Sequence, residues 1–435
     1  LEVQEADKVE ELKTFMPKKA IKGVINKPPK PYKKDGDLSV AGSNWFKELK
    51  ARGLPKDHSE PLEYIKGYEE ANPGSPDQVK EWLFSLGWEP ITFDIKRDKE
   101  TMAERKIPQV RVKTQAGTVL CESVKELIED HPEVGVLEGL TVITHRLSTF
   151  RGFLKNQRDG YLKAQVGGLT NTLRFKHKTL VNLPGIDKLW GEEIRGSLIA
   201  DDGMILCGSD MSSLEDTTKR HYMMDYDPEY VEEMSRDGFD PHLDLALFAG
   251  KVTQQEIDDW QDKVKGAKEL KPLRTSFKAV NYSATYGIKA NSLSRDLKST
   301  TKFAQDLLNS FWKRNWAIEA IVDAVEIKYV DGEMWLFNPV SKFYYSLRYK
   351  KDIFSTLNQG TGVYCFDTWV GEFRKVRSQL TGQFHDEIVS QIPEGREKVY
   401  EKILRTAIEK TNSILMLNVP LDIDVQFGKN YAEIH

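Results

Sequence analysis

The sequence of 435 residues predicts an α+β fold, in which helices accompany a few short strands. One observation is an apolar run at 204–209, which is typical of a buried strand and ends at Asp210. A second is a pair of strand-like segments, 379–384 and 388–392, on either side of an acidic turn. The third is a long helical pattern from about 255 to 330.

Length and composition bound the class of protein. A chain of this size exceeds the length at which one hydrophobic core stops growing, so several subdomains are expected. Hydrophobic residues make up 39% of the chain and charged residues 30%, which is typical of a globular protein with a large surface. No apolar run approaches the ~18 residues of a membrane helix, and no signal peptide is visible. The first residue is Leu1 rather than Met, which is compatible with a further segment upstream of it.

Cysteine usage and charge narrow the class further. Cys121, Cys207 and Cys365 form no Cys-x-x-Cys pair, which favours a reducing compartment over a disulfide framework or a zinc site. The net charge of −4 gives no support to nucleic-acid binding through bulk charge. Binding of that kind would need local positive charge. Basic residues cluster at 145–163 and 174–178, and solvated helix faces explain either cluster equally well.

The segments before residue 165 carry signals for secondary structure but no candidate catalytic residues. Residues 1–45 alternate lysines with prolines and offer little to bury, which predicts an extended or disordered arm. Ser75-Pro76-Asp77-Gln78 is typical of a capping box, and the helix that follows is predicted to end at Gly87. Residues 122–164 are again predicted to be helical.

Two acidic segments are candidate metal sites. Asp210 ends a buried strand, where a charge needs compensation that a metal ion could supply. An Asp that caps the following helix explains that segment alone equally well. The second segment is His385-Asp386-Glu387 between two strands, for which an ordinary hairpin turn is the alternative.

The segment 274–287 has the most regular pattern. Arg274, Lys278, Tyr282 and Tyr286 follow one another at intervals of four residues and precede Gly287. On a helix these side chains share one broad face, about 18 Å from first to last. Cations at one end and aromatic rings at the other suit a nucleoside triphosphate, with phosphates on the cations and the base on a ring. The alternative is an amphipathic helix whose cations reach into solvent.

In combination and order, these segments resemble the family A DNA polymerases, the group of bacterial DNA polymerase I and the phage replicative enzymes. Residues 210–215, with His221 after them, resemble motif A of that family, residues 274–287 resemble motif B, and residues 383–387 resemble motif C. The smaller matches, which extend the resemblance from about 70 to 435, are Asp240-Pro241-His242, Leu357–Thr361, Arg174 with Asn182-Leu183-Pro184, and the tail Val419–His435.

The sequence departs from the family pattern in three places. Met211 stands where the family has a Tyr, and Thr217 stands where it has an Arg. The spacing between motifs A and B is stretched around 254–273, which predicts an insertion in the fingers. None of these changes removes a metal ligand.

The resemblance implies the right-hand polymerase fold, with a thumb, a palm built on an antiparallel sheet, and helical fingers. The implied boundaries are an arm at 1–45, a mostly helical thumb at 46–165, a first palm part at 166–225, fingers at 226–345 and a second palm part at 346–435.

The resemblance also implies the site residues. Two Mg²⁺ ions, with Mn²⁺ as a possible substitute, are expected on Asp210, Asp386 and the backbone carbonyl of Met211. The implied nucleotide contacts are Arg274, Lys278, Tyr282, Tyr286, Glu215, Arg195 and His242, and the implied DNA contacts are Arg174, Gln359 and His385. Among them, Lys278 is also the expected general acid for pyrophosphate, and Glu215 is expected to block a ribose 2′-hydroxyl.

The function implied is template-directed DNA synthesis by a monomer that binds primer–template DNA and dNTPs, in the cytoplasm of a bacterial or phage-infected cell or in an organelle. Two alternatives stay open, a single-subunit RNA polymerase and an accessory subunit that has lost catalysis. Glu215 and Glu387 favour the DNA enzyme. No proofreading exonuclease is expected in this chain, because Phe93-Asp94-Ile95-Lys96 has Lys96 where an Asp-x-Glu pair needs its second carboxylate.

Overall fold

The computed structural model describes residues 1–97, 103–114, 117–297, 299–377 and 380–435. These residues form two compact units, Leu1–Lys155 and Asn156–His435. None of the helices in the described ranges is both long enough and apolar enough to cross a membrane.

The first unit combines helices with two-stranded antiparallel pairs. Its helices are α1 (Glu2–Phe15), α2 (Val40–Ala51), α3 (Pro76–Ser85), α4 (Glu122–Asp130) and α5 (Leu140–Asn156). Its strands are β1 (Lys19–Ile25), β2 (Leu62–Glu69), β3 (Phe93–Arg97), β4 (Glu104–Pro108), β5 (Arg111–Thr114) and β6 (Gly117–Leu120), and they pair β1 with β2, β3 with β4, and β5 with β6. The main core of this unit includes Leu12, Trp82, Leu83, Val124 and Leu137.

The predicted arm at 1–45 is the main correction in this unit. Leu12 of α1 is fully buried in the core, and β1 pairs along its whole length with β2. The pairing partner of β1 lies some forty residues further along the chain, so composition around the lysines and prolines could not reveal it. The prediction of an extended or disordered arm is therefore wrong for α1 and β1. Residues 46–165, which were predicted to be mostly helical, also contain the strands β2 to β6.

The predicted helix after Ser75 is confirmed as α3. The Ser75 hydroxyl oxygen accepts the backbone N–H of Gln78 at 3.5 Å, and Pro76 occupies the first helical turn. Val79, Trp82 and Leu83 form its buried face.

The second unit contains a four-stranded antiparallel sheet, further strand groups and many helices. Its strands are β7 (Val166–Leu169), β8 (Phe175–His177), β9 (Met204–Met211), β10 (Ile327–Val330), β11 (Glu333–Phe337), β12 (Tyr344–Leu347), β13 (Gly382–Phe384), β14 (Glu387–Pro393) and β15 (Ile423–Gly428). Its helices are α6 (Gly191–Gly196), α7 (Leu214–Met223), α8 (Pro228–Met234), α9 (Pro241–Phe248), α10 (Gln254–Gln261), α11 (Lys271–Thr285), α12 (Ala290–Asp296), α13 (Thr301–Arg314), α14 (Trp316–Ala324), α15 (Ile353–Val376) and α16 (Glu397–Leu415).

The four-stranded sheet has the order β13-β14-β9-β15, with every neighbouring pair antiparallel. Alternate residues of β9 face opposite sides, as strand geometry requires. Cys207 and Met211 pack in one core with Trp369 of α15 and Leu404 of α16. Leu206 packs on the other side, and Asp210 shares its side because the two are four residues apart. The sheet therefore presents Asp210 on the face that α15 and α16 do not cover.

The helices α7 to α14 are built around a second core in this unit. Phe277, Val280 and Ala284 are the buried residues of α11, and they belong to the same cluster as Phe311 of α13 and Leu243 of α9. The long helical pattern predicted between 255 and 330 is therefore a series of separate helices, α10 to α14. The predicted α+β class and the antiparallel sheet are confirmed.

Candidate active site

A cluster of carboxylates lies on the open face of the sheet. Asp210 at the end of β9 is paired in register with Glu387 on β14 and with Asp424 on β15. Side chains directly opposite one another on antiparallel strands project to the same face. Asp386 lies in the turn between β13 and β14, and its backbone carbonyl accepts the N–H of Met211 at 3.0 Å. The structure thus brings together the two aspartates that the sequence singled out from positions 176 residues apart.

The backbone of that turn is unusual. His385 has a positive φ of 52°, a left-handed conformation that side chains other than glycine adopt rarely. His385 and Asp386 form a two-residue turn between β13 and β14, which places Asp386 beside the end of β9.

The electrostatics of the cluster favour a bound cation. Partial burial, reinforced by the negative charges of Asp386, Glu387 and Asp424, raises the pKa of Asp210 to about 7. A divalent cation would relieve that repulsion, and hard carboxylate oxygens are the ligands that Mg²⁺ prefers. No set of three or more His, Cys, Asp or Glu side chains within the described ranges is arranged to hold a metal on its own. The donors therefore fit an ion that takes its remaining ligands from water and substrate, as Mg²⁺ commonly does.

Two cavities meet at this cluster, because Asp210 and Asp386 line both of them. The first, of about 420 Å³, is lined by residues that include His177, Arg195, His385, Asp424 and Tyr431. The second, of about 630 Å³, is lined by residues that include Glu215, His242, Arg274, Tyr282, Tyr286, Asn358 and Gln359.

The predicted four-residue pattern lies on α11 and its C-terminal cap. Lys278 and Tyr282 are exposed, and Tyr286 is exposed at the cap, opposite the buried face of the helix. The Lys278 Nζ lies 5.9 Å from the centroid of the Tyr282 ring. Gly287 follows with a φ of +70°, which ends the helix in a conformation that glycine adopts without strain. The helix and its exposed face are confirmed.

Arg274 and His242 are held by one carboxylate. The Asp240 side chain accepts the backbone N–H groups of His242 at 2.9 Å and Leu243 at 3.1 Å, and it also accepts Nε–H of Arg274. Burial alone would raise the pKa of Asp240. The hydrogen bonds and the positive charge of Arg274 outweigh burial and keep that pKa below its usual value. Asp240 thereby positions two of the predicted nucleotide contacts, Arg274 and His242, together.

His242 itself is buried and neutral. Burial lowers its pKa to about 4, with Arg274, Lys278 and Lys219 acting in the same direction and Asp240 opposing them. The amide of Asn281 contacts its Nδ1 at 3.1 Å, so Nε2 is the ring nitrogen left to contact a ligand.

Glu215 also lines the second cavity. The Tyr286 hydroxyl lies 3.4 Å from the nearer carboxylate oxygen of Glu215, and Gln359 Nε2 donates to the same hydroxyl at 2.9 Å. Three residues predicted separately from motifs A and B and the palm helix therefore form one chain of hydrogen bonds.

The predicted DNA contacts divide between two places. Arg174 lines a small pocket together with His385 and Gln383, whereas Gln359 lines the second cavity with Tyr286. The ring of His177 packs against those of Phe384 at 5.3 Å and His385 at 5.4 Å. His177, which the sequence offered only as part of a basic stretch, is thus a neighbour of His385, one of the predicted DNA contacts.

Arg195 lies on α6, beside the first cavity. Its Nε donates to the carbonyl of Pro184 at 2.7 Å, and its guanidinium lies 5.1 Å from the centre of the Tyr431 ring. It lines the first cavity with Asp210, whereas Arg274 lines the second.

The sequence departures have structural explanations. The Met211 and Thr217 side chains are buried, with 1% and 3% of their surfaces exposed, so both are core residues here. The stretched spacing between motifs A and B includes α10, whose Thr253 and Glu256 form a capping box. His221 accepts the backbone N–H of Asn418 at 3.1 Å and ties α7 to the segment before β15.

The comparisons with known proteins agree on one protein family. The family described as DNA polymerase family A matches residues 54–332, more than half of the chain. That match includes the motif A and motif B segments, whereas the turn with Asp386 lies beyond it. DNA polymerase I, thermostable, of Thermus filiformis is 24% identical over 379 residues, which cover 83% of this chain and 42% of that protein. DNA polymerase I of Caldicellulosiruptor bescii is 24% identical over 356 residues, or 75% of this chain and 39% of that protein.

A solved structure shows the same fold. The POL domain of Pol1 from M. smegmatis, determined in complex with DNA primer-template and dNTP, has a TM-score of 0.62 at 20% identity and covers 84% of this chain and 62% of that chain. The present chain spans about two fifths of the length of the curated relatives it matches.

Proposed function

The chain belongs to DNA polymerase family A, and from that premise we propose that it is a template-directed DNA polymerase. It adds deoxynucleotides to the 3′-hydroxyl of a primer and releases pyrophosphate. The observation that carries the proposal is that Asp210 and Asp386 line both cavities, one beside His385 and one beside α11. A primer end and an incoming nucleotide can therefore meet at the same two carboxylates.

The reaction joins O3′ of the primer to the α-phosphorus of a dNTP, while the bond from that phosphorus to the pyrophosphate oxygen breaks. Such a transfer depends mainly on positioning and on stabilising charge. Asp210, Asp386 and the backbone carbonyl of Met211 would hold two divalent cations, Mg²⁺ or its substitute Mn²⁺. When bound, such ions stabilise the attacking and the leaving oxygens.

The second cavity receives the nucleotide, together with Lys278 on the exposed face of α11. Arg274, His242 and Lys278 contact the triphosphate, and Lys278 gives a proton to the leaving pyrophosphate. Tyr286 lies beside the templating pair, Tyr282 lies against the sugar, and Glu215 occupies the space of a 2′-hydroxyl. Arg195 contacts the nucleotide from the palm side. The order of residues along α11 supports this arrangement, because Arg274 and Lys278 lie N-terminal to Tyr282 and Tyr286.

The DNA contacts follow from the first cavity and the palm helix. His385 contacts the primer terminus, while Arg174 and Gln359 contact the minor groove at the nascent pair. Acceptors in that groove are nearly the same for every correct pair, so such contacts check geometry without reading sequence. The chain acts as a monomer on primer–template DNA in a bacterial or phage-infected cytoplasm.

Primer extension on a defined template tests the proposal. Wild-type protein with Mg²⁺ and dNTPs is expected to extend the primer, and to do so far better than with rNTPs. Asp210→Ala or Asp386→Ala is expected to abolish nucleotide addition while primer–template binding persists, because each removes a ligand of the cations. Asp323→Ala, an exposed aspartate on α14, is the control and keeps full activity. Near-normal turnover by Asp210→Ala or Asp386→Ala would show that the site is assigned wrongly. A wild-type protein that incorporates rNTPs as efficiently as dNTPs would indicate an RNA polymerase.

We also expect no proofreading activity from this chain. In the β3–β4 pair, Lys96 and the Arg105 opposite it lie on the same face as Asp94, so the charges next to Asp94 on that face are cations rather than a second carboxylate. A 3′-mismatched primer incubated with the protein, Mg²⁺ and no dNTPs is expected to keep its length. Trimming of that end by protein free of contaminating nuclease would contradict this, and Asp94→Ala would show whether this strand is responsible.

A further inference from the structure

Asn358 is a buried amide beside the second cavity. It belongs to α15, directly before Gln359, and only 5% of its surface is exposed. Its Nδ2 donates to the backbone carbonyl of Glu215 at 2.9 Å. The bond joins α15 to the first turn of α7 across 143 positions of sequence.

The other end of this amide is unpaired. Asn358 Oδ1 is buried and has no hydrogen-bond partner among the residues that the structure describes. Only an N–H donor can face the Glu215 carbonyl favourably, so the amide cannot turn round to exchange its two ends. A buried amide with one unpaired end costs stability relative to an apolar side chain of similar size. Stability alone therefore does not explain an asparagine at this position.

The first turn of α7 receives no capping bond from the side chain before it. The residue before it, Ser213, has a positive φ of 47° and makes no side-chain capping bond. The Glu215 carbonyl in the first turn accepts the Asn358 amide and, at 3.2 Å, the hydroxyl of Thr218. Asn358 is thus the contact that fixes this carbonyl to another element.

Two neighbouring residues of α15 act at the two ends of Glu215, Asn358 directly and Gln359 through the Tyr286 hydroxyl. Asn358 holds the backbone carbonyl, while Gln359 donates to the Tyr286 hydroxyl that lies beside the carboxylate. A side chain anchored at both ends keeps its place when a ligand presses against it. Steric rejection of one extra oxygen requires that kind of rigidity, because the excluded group is small.

We infer that Asn358 is a positioning residue for sugar selection, which holds Glu215 where it excludes the 2′-hydroxyl of a ribonucleotide. The inference rests on the proposed function and adds to it a residue that is not among the site residues predicted from the sequence. Asn358 acts through Glu215 and contacts no reacting atom.

The test measures kcat/KM for dNTP and rNTP incorporation and compares their ratio among variants. Asn358→Leu removes the donor but fills the same space, and it is expected to lower the dNTP/rNTP ratio about three- to tenfold, the effect of one hydrogen bond between neutral groups. Glu215→Ala removes the excluding side chain itself and is expected to lower the ratio further. Asn358→Ala, which cannot clash with its neighbours, is the second variant and is expected to change the ratio in the same direction.

A matched control separates this role from general loosening. Asn412 of α16 is bonded at both ends to Leu421, through Nδ2 at 2.9 Å and Oδ1 at 2.8 Å. Asn412→Leu therefore loses more hydrogen bonds than Asn358→Leu and is expected to unfold at a lower temperature. Its dNTP/rNTP ratio is nevertheless expected to match the wild type.

The double variant shows whether Asn358 acts through Glu215. In the Glu215→Ala background, Asn358→Leu is expected to change the ratio no further, since the side chain to be positioned is gone. An undiminished effect in that background, or a wild-type ratio in both Asn358 variants, would overturn the inference while leaving the polymerase proposal intact. A wild-type protein that extends no primer would remove both together.

Discussion

Tyr282 illustrates how one atom can set substrate choice. Half of its surface is exposed on the free face of α11, and its ring lies 5.9 Å from that of His242. In the proposed complex it lies against the sugar. A normal dNTP has a 3′-hydroxyl that makes a hydrogen bond near its own phosphates, and a dideoxynucleotide lacks that oxygen. Polar groups then stay unpaired in a partly desolvated site, at a cost of roughly 1–3 kcal/mol.

We expect the wild type to accept dideoxynucleotides nearly as well as dNTPs, because the Tyr282 hydroxyl supplies the missing partner. Tyr282→Phe removes it and is expected to restore discrimination of about 10- to 100-fold with little loss of dNTP use. Competitive extension with dNTP and ddNTP mixtures measures the ratio. Tyr329→Phe, which alters an exposed tyrosine on β10, is the control. Strong rejection of ddNTPs by the wild type would mean that Tyr282 does not face the sugar.

Single residues were predictable from the sequence where local pattern and order sufficed. Asp210, Asp386 and the α11 residues could be predicted because each lies in a short segment with its own signal. Asp424 could not, since it joins the carboxylates only through the register of β15 with β9. Asn358 could not either, because its partner is a backbone carbonyl of another helix and nothing in a sequence marks a carbonyl.

At the scale of elements, α9 and α11 work as one unit. Asp240 caps the start of α9 and also holds Arg274 of α11, so a single carboxylate fixes the spacing of the two helices. Asp227 caps α8 in the same manner by accepting the N–H of Tyr230 at 3.1 Å. No ion pair to Asp227 is present within the described ranges, which makes it a natural comparison.

We expect Asp240→Ala and Asp227→Ala to lower the free energy of unfolding by similar amounts, about 0.5–2 kcal/mol for a lost cap. Only Asp240→Ala also frees Arg274, so only this variant is expected to raise KM for dNTPs, by about tenfold, with a smaller change in kcat. Thermal unfolding and steady-state primer extension measure the two effects. An equal rise of KM in both variants would show that loosened helices, rather than the released Arg274, weaken nucleotide binding.

Elements were predictable to the extent that their signals are local. The α3 helix follows from its own cap and apolar face, and α11 follows from its spacing. The arm was mispredicted because β1 is stable only through β2. A strand of mixed polarity gains its order from a partner that lies far away in sequence.

At the scale of the whole molecule, the net negative charge opposes the proposed binding of DNA. The chain carries 63 Lys and Arg against 67 Asp and Glu, so its long-range field repels a polyanion. Binding must therefore come from cations placed locally, together with the release of counterions from the phosphates they contact. Lys176 of β8 is a candidate, since it is exposed and lies between Arg174 and His177.

We therefore expect the affinity for primer–template DNA to fall linearly on a log–log plot against salt, with a slope of about 0.9 per phosphate contacted. Lys176→Ala is expected to reduce that slope by about one and to weaken binding equally for all template sequences, because a phosphate contact carries no base information. Lys398→Ala, an exposed lysine on α16, keeps the same net charge as Lys176→Ala and is expected to leave the slope unchanged. Equal effects of the two variants would show that net charge, rather than local placement, governs binding. An affinity independent of salt would show that phosphate contacts do not hold the DNA at all.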